Sequence, residues 1–293
     1  MVWKPRRSIG GLVGVAAILS VLAIDWMLFS RLMRSPVSLA SFALALAILS
    51  SLPLLIFLTH RTYGFFNLRY QLDRNGLTIT WADTQQVIPL GEIIRIVDGV
   101  SIKTRGVRWP GYWIGRKEVR GVGSVLFYAT CPPAEQLLVM TPNVSYAISP
   151  TAKEEFIAAF EVKRRLGPTK KLNQGIHQAR FRSWPIWGDR GVLLLVALGF
   201  LANLALFAYL CWRYPALPEL LPLHWDASGQ ADRIGTRGQL FLLPIIGLAT
   251  MLANCGLGFS IYGREKLGTY LLLGGAAIVQ IFLWLAALNI IGR

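Results

Sequence analysis

Carboxylates are scarce in this chain: 15 Asp and Glu stand against 30 Lys and Arg among 293 residues, a formal charge of +15. Charged residues of either sign make up only 15% of a sequence that is 54% hydrophobic. That balance excludes intrinsic disorder, which needs low hydrophobicity, and argues against a single water-soluble globule. Cysteine is equally sparse. Cys131, Cys211 and Cys255 are odd in number and far apart, with no CxxC, so neither a disulfide framework nor a zinc cluster is expected. The three histidines, His60, His177 and His224, leave a thin inventory of general bases. There is no HExxH, no GxSxG elbow, no P-loop and no GxGxxG after a strand. The adjacent Glu154 and Glu155 fall on a first helical turn, where the helix dipole explains them. A non-enzymatic protein is expected, with no cofactor and no metal. The positive charge would suit nucleic acid only beside a docking motif, and none is present. The anionic inner leaflet of a membrane is the expected partner.

What is abundant is long apolar sequence. Five stretches approach the ~20 residues needed to cross a bilayer core of about 30 Å: 9–29, 37–58, 192–212, 240–262 and 267–291. The first follows Lys4, Arg6 and Arg7 as a signal peptide would, but no small-residue cleavage site follows it, so a retained helix is expected. With residue 1 inside, twelve basic residues flank the spans on the cytoplasmic side (Lys4, Arg6, Arg7, Arg61, Arg69, Arg74, Lys171, Arg180, Arg182, Arg190, Arg264 and Lys266). Six flank them on the other: Arg31, Arg34, Arg213, Arg233, Arg237 and Arg293. The excess favours the amino-terminal end inside and the carboxy-terminal end outside. Within the spans, Asp25 beside Trp26 reads either as a headgroup-level acid or as part of an ion path. Asn203, Asn254 and Gln280 are suited to bonding across helices, and Gly10 and Gly14 form a single GxxxG.

Between residues 61 and 190 the pattern shortens and alternates. Leu77, Ile79 and Trp81 alternate with Thr78 and Thr80, as a strand with one buried face requires. Further strands are predicted at 66–72, 86–90, 93–98, 107–114, 124–130, 136–141 and 144–148, with an Asn75-Gly76 turn before Leu77 that suits positive φ at both central residues. Spacing of about ten residues suggests a small antiparallel barrel or sandwich. One helix closes it, with Ser149 as the expected cap, Pro150 in the first turn, Phe156 and Phe160 on its inner face, and Gly167-Pro168 as its stop.

The residues Tyr70-Gln71-Leu72-Asp73-Arg74-Asn75-Gly76-Leu77, Val87-Ile88-Pro89-Leu90 with Ile93, and Tyr146-Ala147-Ile148-Ser149-Pro150 running into Phe156 resemble a bacterial pleckstrin-homology (PH) domain. The resemblance covers about a hundred residues. It implies a binding module, related in fold to eukaryotic phosphoinositide readers, without implying lipid binding. Arg105, Arg108, Arg116, Lys117 and Arg120, interleaved with Trp109, Tyr112 and Trp113, form either an anionic-lipid or partner site or a solvated loop whose aromatics cover the barrel. Lys163, Arg164, Arg165, Lys170, Lys171, Arg180 and Arg182, with Trp184 and Trp187, read as an inner-face anchor or a partner-binding arm.

The loop at 213–239 carries three prolines, then His224-Trp225-Asp226, Gly229 and Asp232. Prolines hold the backbone extended and Asp226 to Gly229 turn it back. His224, Asp226 and Asp232 are metal-ligand or acid–base types, but the same residues make a structural hairpin with an Asx turn at Asp226 and an ion pair from Asp232 to Arg233 or Arg237. The proline before an apolar-His-aromatic triplet, the central glycine and the following aspartate resemble a membrane domain of unknown function that accompanies SdpI-type immunity and signal-transduction proteins. The resemblance covers about Val192 to Tyr262, includes Pro244 near the opening of the next span, and implies peptide or ligand recognition at His224, Trp225, Asp226, Gly229 and Asp232. Such proteins protect against a toxic peptide and can sequester a repressor at the membrane.

The expected architecture is an α-helical polytopic membrane protein with an inserted PH-like domain, an antiparallel barrel or sandwich capped by one helix. Its parts are a two-helix hairpin (1–60), the PH-like domain (61–167), a basic linker (168–190) and a three-span domain (191–293) whose 213–239 loop lies outside a bacterial plasma membrane. A signalling, immunity or recruiting role is expected. The alternatives are a transporter or channel accessory subunit using Asp25 and Gln280, or a passive lipid-binding scaffold.

Overall fold

The computed structural model describes residues 1–98, 111–119, 121–170, 175–177, 184–226, 228 and 230–292, and the backbone alone of Ile176, His177 and Trp225. Two compact units share the chain, one of Met1–Ile24 with Ser51–Ser183, the other of Asp25–Ser50 with Trp184–Arg293.

In chain order the first unit's elements are β1 (Val2–Trp3), α1 (Gly10–Leu32), α2 (Leu39–Asn67), β2 (Arg69–Leu72), β3 (Gly76–Trp81), β4 (Thr84–Pro89), β5 (Arg95–Asp98), β6 (Trp113–Val119), β7 (Gly123–Ala129), β8 (Leu137–Met140), β9 (Ser145–Ile148), α3 (Lys153–Leu166) and β10 (Gly175–His177), α1 and α2 continuing into the second unit. They form two sheets, β1-β2-β3-β4-β10 and β5-β8-β9-β7-β6, antiparallel except where β7 runs parallel to β9. Alternation dictates the core: Tyr70, Leu72, Leu77, Ile79, Leu137 and Ile148 point inward and meet Phe156 and Phe160 of α3. A barrel-like sandwich closed by one helix is thus what the pattern produces.

Several local expectations are corrected. The strand predicted from residue 66 begins at Arg69, because α2 continues through Asn67, whose amide brackets the Ala82 backbone at 2.8 and 2.9 Å. Asn75 and Gly76 do not take positive φ. The Asp73 carboxylate closes that turn instead, accepting from Asn75 N (2.7 Å) and Gly76 N (2.8 Å). Ser149 does not cap α3, which starts after Ala152 without a side-chain cap. Its hydroxyl is buried at the end of β9 and accepts from Thr130 N at 2.8 Å, so it is spent on holding β7 to β9. Of the strand predicted at 107–114, residues 107–110 lie outside the described residues, and Trp113 and Ile114 open β6.

The segment before the first span, which read as its charged flank, joins the sheet through Val2–Trp3. Val2 and Trp3 pair with Gln71 and Tyr70, Arg6 N donates to Ser149 O (2.8 Å), and Thr130 Oγ1 donates to Arg6 O (2.6 Å). Trp3 packs edge-on against Phe156 with ring centroids 5.2 Å apart. The fully buried Tyr70 hydroxyl donates to Tyr128 O (2.6 Å) and receives Ser149 N (3.1 Å), and burial raises its pKa above the ordinary phenol value. At the other sheet edge β10, from the expected linker, adds antiparallel to β4.

Close approach of α1 to α2 uses glycine. A Cβ at Gly14 would fall on the Thr62 side chain and one at Gly11 would lie 2.8 Å from Phe65 and Phe66. Gly64 likewise admits the Trp81 indole.

The second unit contains α4 (Arg190–Arg213), β11 (Leu220–Trp225), β12 (Ala231–Thr236), α5 (Leu242–Ile261) and α6 (Lys266–Gly292). Five helices, α1, α2, α4, α5 and α6, are long and apolar enough to cross a membrane, each overlapping its predicted span. Between α4, α5 and α6 lies a buried amide network: Asn203 Nδ2 donates to Pro244 O and Gln280 Oε1, both at 3.0 Å, and Gln280 Nε2 donates to Gly247 O at 3.0 Å. Both ends of the Gln280 amide are therefore taken up in packing. Asn254 bonds within its own helix, to Thr250 O.

Candidate functional site

The 213–239 loop is an antiparallel hairpin, with Leu220 paired to Thr236 and Trp225 to Ala231. Two strands alone are marginal in water, so the base matters. Leu217 and Leu221 join Leu206, Leu210, Leu240 and Ala287 in a buried cluster that seats the hairpin on the helix ends. Arg237 fixes the same base: its guanidinium donates to Leu217 O (3.2 Å) and lies 4.6 Å from the Tyr214 ring centre. Gly235 leaves room there for the Gln239 and Leu223 side chains, which a Cβ would displace.

Beyond the base the hairpin is exposed, Ile234 by 66%. His224 Nδ1 and Asp232 Oδ1 are 2.6 Å apart across the strands. This pair replaces the expected bond from Asp232 to Arg233 or Arg237, because Arg237 is committed to the base and His224 sits opposite Arg233 in the register, one residue from Asp232. The pair is solvated on both sides, so it orients the two groups and adds little stability. The Asx turn expected at Asp226 is present: its Oδ1 accepts from Ser228 N (2.9 Å), Ser228 Oγ (2.6 Å) and Gln230 N (2.8 Å). Oδ1 of Asp226 is thereby engaged in the turn. Among the described residues no three His, Cys, Asp or Glu side chains converge as a metal ion requires. Gly229 lies outside the described residues, as does the Trp225 side chain.

Of the basic residues singled out in the PH-like region, Arg105, Arg108, Arg120, Lys171, Arg180 and Arg182 lie outside the described residues, as does Trp109. Arg116 donates from Nε to Ser124 Oγ (2.8 Å), and the Lys117 ammonium stands 6.0 Å from the Trp113 ring centre. Tyr112 is buried, its hydroxyl bonded to Trp81 Nε1, so it belongs to the interior. Lys163, Arg164 and Arg165 occupy the last turn of α3, where cations suit the dipole.

Two structural clamps escaped the sequence reading. Arg74 Nη2 donates to Leu166 O (3.0 Å), while Asn75 Oδ1 accepts from Thr169 N, Thr169 Oγ1 and Lys170 N at 2.9–3.0 Å. The Asp73–Gly76 turn thus anchors the chain leaving α3. Asp189 caps α4 through Gly191 N (3.1 Å) and Val192 N (3.3 Å) and receives the Tyr270 and Tyr262 hydroxyls at 2.6 and 2.8 Å. Those hydroxyls, Tyr270 first, hold its carboxyl below the usual range. The signal available for both was an Asp or Asn at an element end, with no indication of its distant partner.

Residues 68–164 match the family model described as a bacterial PH domain, and residues 201–248 match a domain of unknown function, DUF1648. The second match contains most of α4, the hairpin, and Asn203, Pro244 and Gly247 of the amide network. An uncharacterized protein of Archaeoglobus fulgidus is 40% identical over 58 residues, which is 20% of this chain and 31% of that relative. The chain thus covers less than a third of the relative's length. No solved structure matches. The protein is a multi-pass membrane protein that carries a PH-like domain and a DUF1648 domain.

Proposed function

We propose that this is a non-catalytic transmembrane binding protein of the signalling or immunity type, taking a peptide at the hairpin outside and engaging a protein through the PH-like domain on the cytoplasmic face. The observation that carries it is the hairpin itself, a two-stranded ribbon seated at its base, exposed beyond it, and unpaired along both outer edges among the described residues. An unpaired edge is a template for an added strand. β12 is the better edge, since β11 contains Pro222 and β12 has no proline. One span, α4, separates the PH-like domain from the hairpin along the chain, which suits opposite membrane faces, and the twelve-to-six bias of basic flanks supports the PH-like domain being inside. A bacterial plasma membrane fits the PH-type match.

The test places a photo-crosslinking amino acid at Ile234 of the full chain in its native cells. A discrete protein or peptide adduct is expected, falling at least tenfold when His224 and Asp232 are both replaced by Ala. An unchanged adduct in that variant, or adducts to lipid alone, contradicts recognition by the hairpin.

A further inference from the structure

Segment 2–8 and the end of α2 line an open cavity of about 710 Å³. Its lining is lopsided in charge. Lys4, Arg6, Arg7 and Arg69 line it, and among the described residues only Arg6 has an acidic partner, Glu135. The side chains of Lys4, Arg7 and Arg69 have no ion pair or hydrogen bond among the described residues, and all three are exposed. The Asn67 amide in the wall is already committed to Ala82, leaving the cations as the groups available to a ligand. Phe65 and Phe66 supply an apolar side, Phe66 being 65% exposed.

The length of α2 sets the depth of this cavity. Its 29 residues extend about 43 Å at 1.5 Å each, which matches a bilayer of roughly 40–45 Å counted across both headgroup layers. Phe65, Phe66 and Asn67, the last residues of that helix, then lie in a headgroup layer, where phosphate is concentrated and acyl chains begin. An open concavity lined by three cations without an acidic partner among the described residues, and by two phenyl rings, suits a molecule that is anionic at one end and apolar at the other.

We propose that this cavity is a binding site for the phosphate headgroup of an anionic glycerolipid, with Lys4, Arg7 and Arg69 on the phosphate and Phe65 and Phe66 along the glycerol and upper acyl chain. Because β1 and β2 carry Lys4's neighbour Trp3 and Arg69 itself, the bound lipid would tie the sheet to the membrane. The site rests on the five-span reading and makes no use of the hairpin, so either proposal can fail alone.

The experiment is native mass spectrometry of the full-length protein after delipidation and titration with phosphatidylglycerol against a phosphatidylcholine background. Wild-type protein is expected to retain one phosphatidylglycerol. Replacing Lys4, Arg7 and Arg69 together by Gln should weaken it on the order of 100-fold, from about fivefold per basic residue at a membrane surface. The charge-matched control R31Q/R34Q/R264Q, at exposed positions that do not line this cavity, should stay within about twofold. Arg7→Glu alone serves as a second variant, with an expected loss exceeding tenfold. No retained lipid, or equal losses in the two triple variants, overturns the site. Competition by inorganic phosphate or glycerol 3-phosphate as effective as by phosphatidylglycerol would assign it to a soluble phosphate and overturn the lipid.

Discussion

Gly247→Ala is expected to cost about 2–3 kcal/mol and to lower the Tm of the detergent-solubilised protein by roughly 5–10 °C. A methyl group there would fall on the Asn203 amide and lie 2.7 Å from Gln280 Oε1. Both amides are buried among α4, α5 and α6 and bonded to each other, so neither has an empty direction in which to retreat. Shifting one breaks its bond to a carbonyl of α5, and an unsatisfied amide in apolar surroundings adds to the steric cost. Gly256→Ala on the same helix has open space around its Cβ and should be neutral or slightly stabilising, since alanine is the better helix former. Asn203→Ala combined with Gly247→Ala should recover part of the loss. Equal melting temperatures for the two single glycine variants would contradict the network.

Replacing Trp3 by Ala should destabilise the PH-like unit by about 2 kcal/mol, below the value for a fully buried aromatic because Trp3 is half-buried. Its indole meets Phe156 of the closing helix, and its strand pairs with the segment that carries the buried Tyr70. Hydrogen exchange should accelerate at Leu72 N, which bonds Met1 O at 3.0 Å. Val2→Ala removes a side chain that is 61% exposed and should leave both readouts nearly unchanged. Identical behaviour of the two variants would mean that residues 1–9 merely precede the first span.

That segment shows where the sequence stops being legible. Lys4, Arg6 and Arg7 before an apolar run carry the signature of a membrane flank, and Val2-Trp3 is too short to show alternation. Its pairing with β2 spans almost seventy residues, which no local pattern reveals. The five spans were legible because each is a continuous apolar run, and β3 because Leu77 and Ile79 alternate with threonines. Ser149 misled because a serine before proline and acids looks like a cap, while its actual partner, Thr130, is set by tertiary packing. In the hairpin, the Asx turn at Asp226 is a local event and was readable. The choice of His224 by Asp232 depended on strand register, and Arg237 was unavailable only because Tyr214 and Leu217 hold it.

The central claim is a binding domain on one membrane face and a recognition hairpin on the other. Single cysteines at Ser228, on the exposed turn, and at Glu161, on the outer side of α3, test it most directly, because Cys131, Cys211 and Cys255 are buried. An impermeant maleimide applied to intact cells should label Ser228→Cys, and should label Glu161→Cys only after the membrane is opened. Labelling of both positions from the same side would contradict the account.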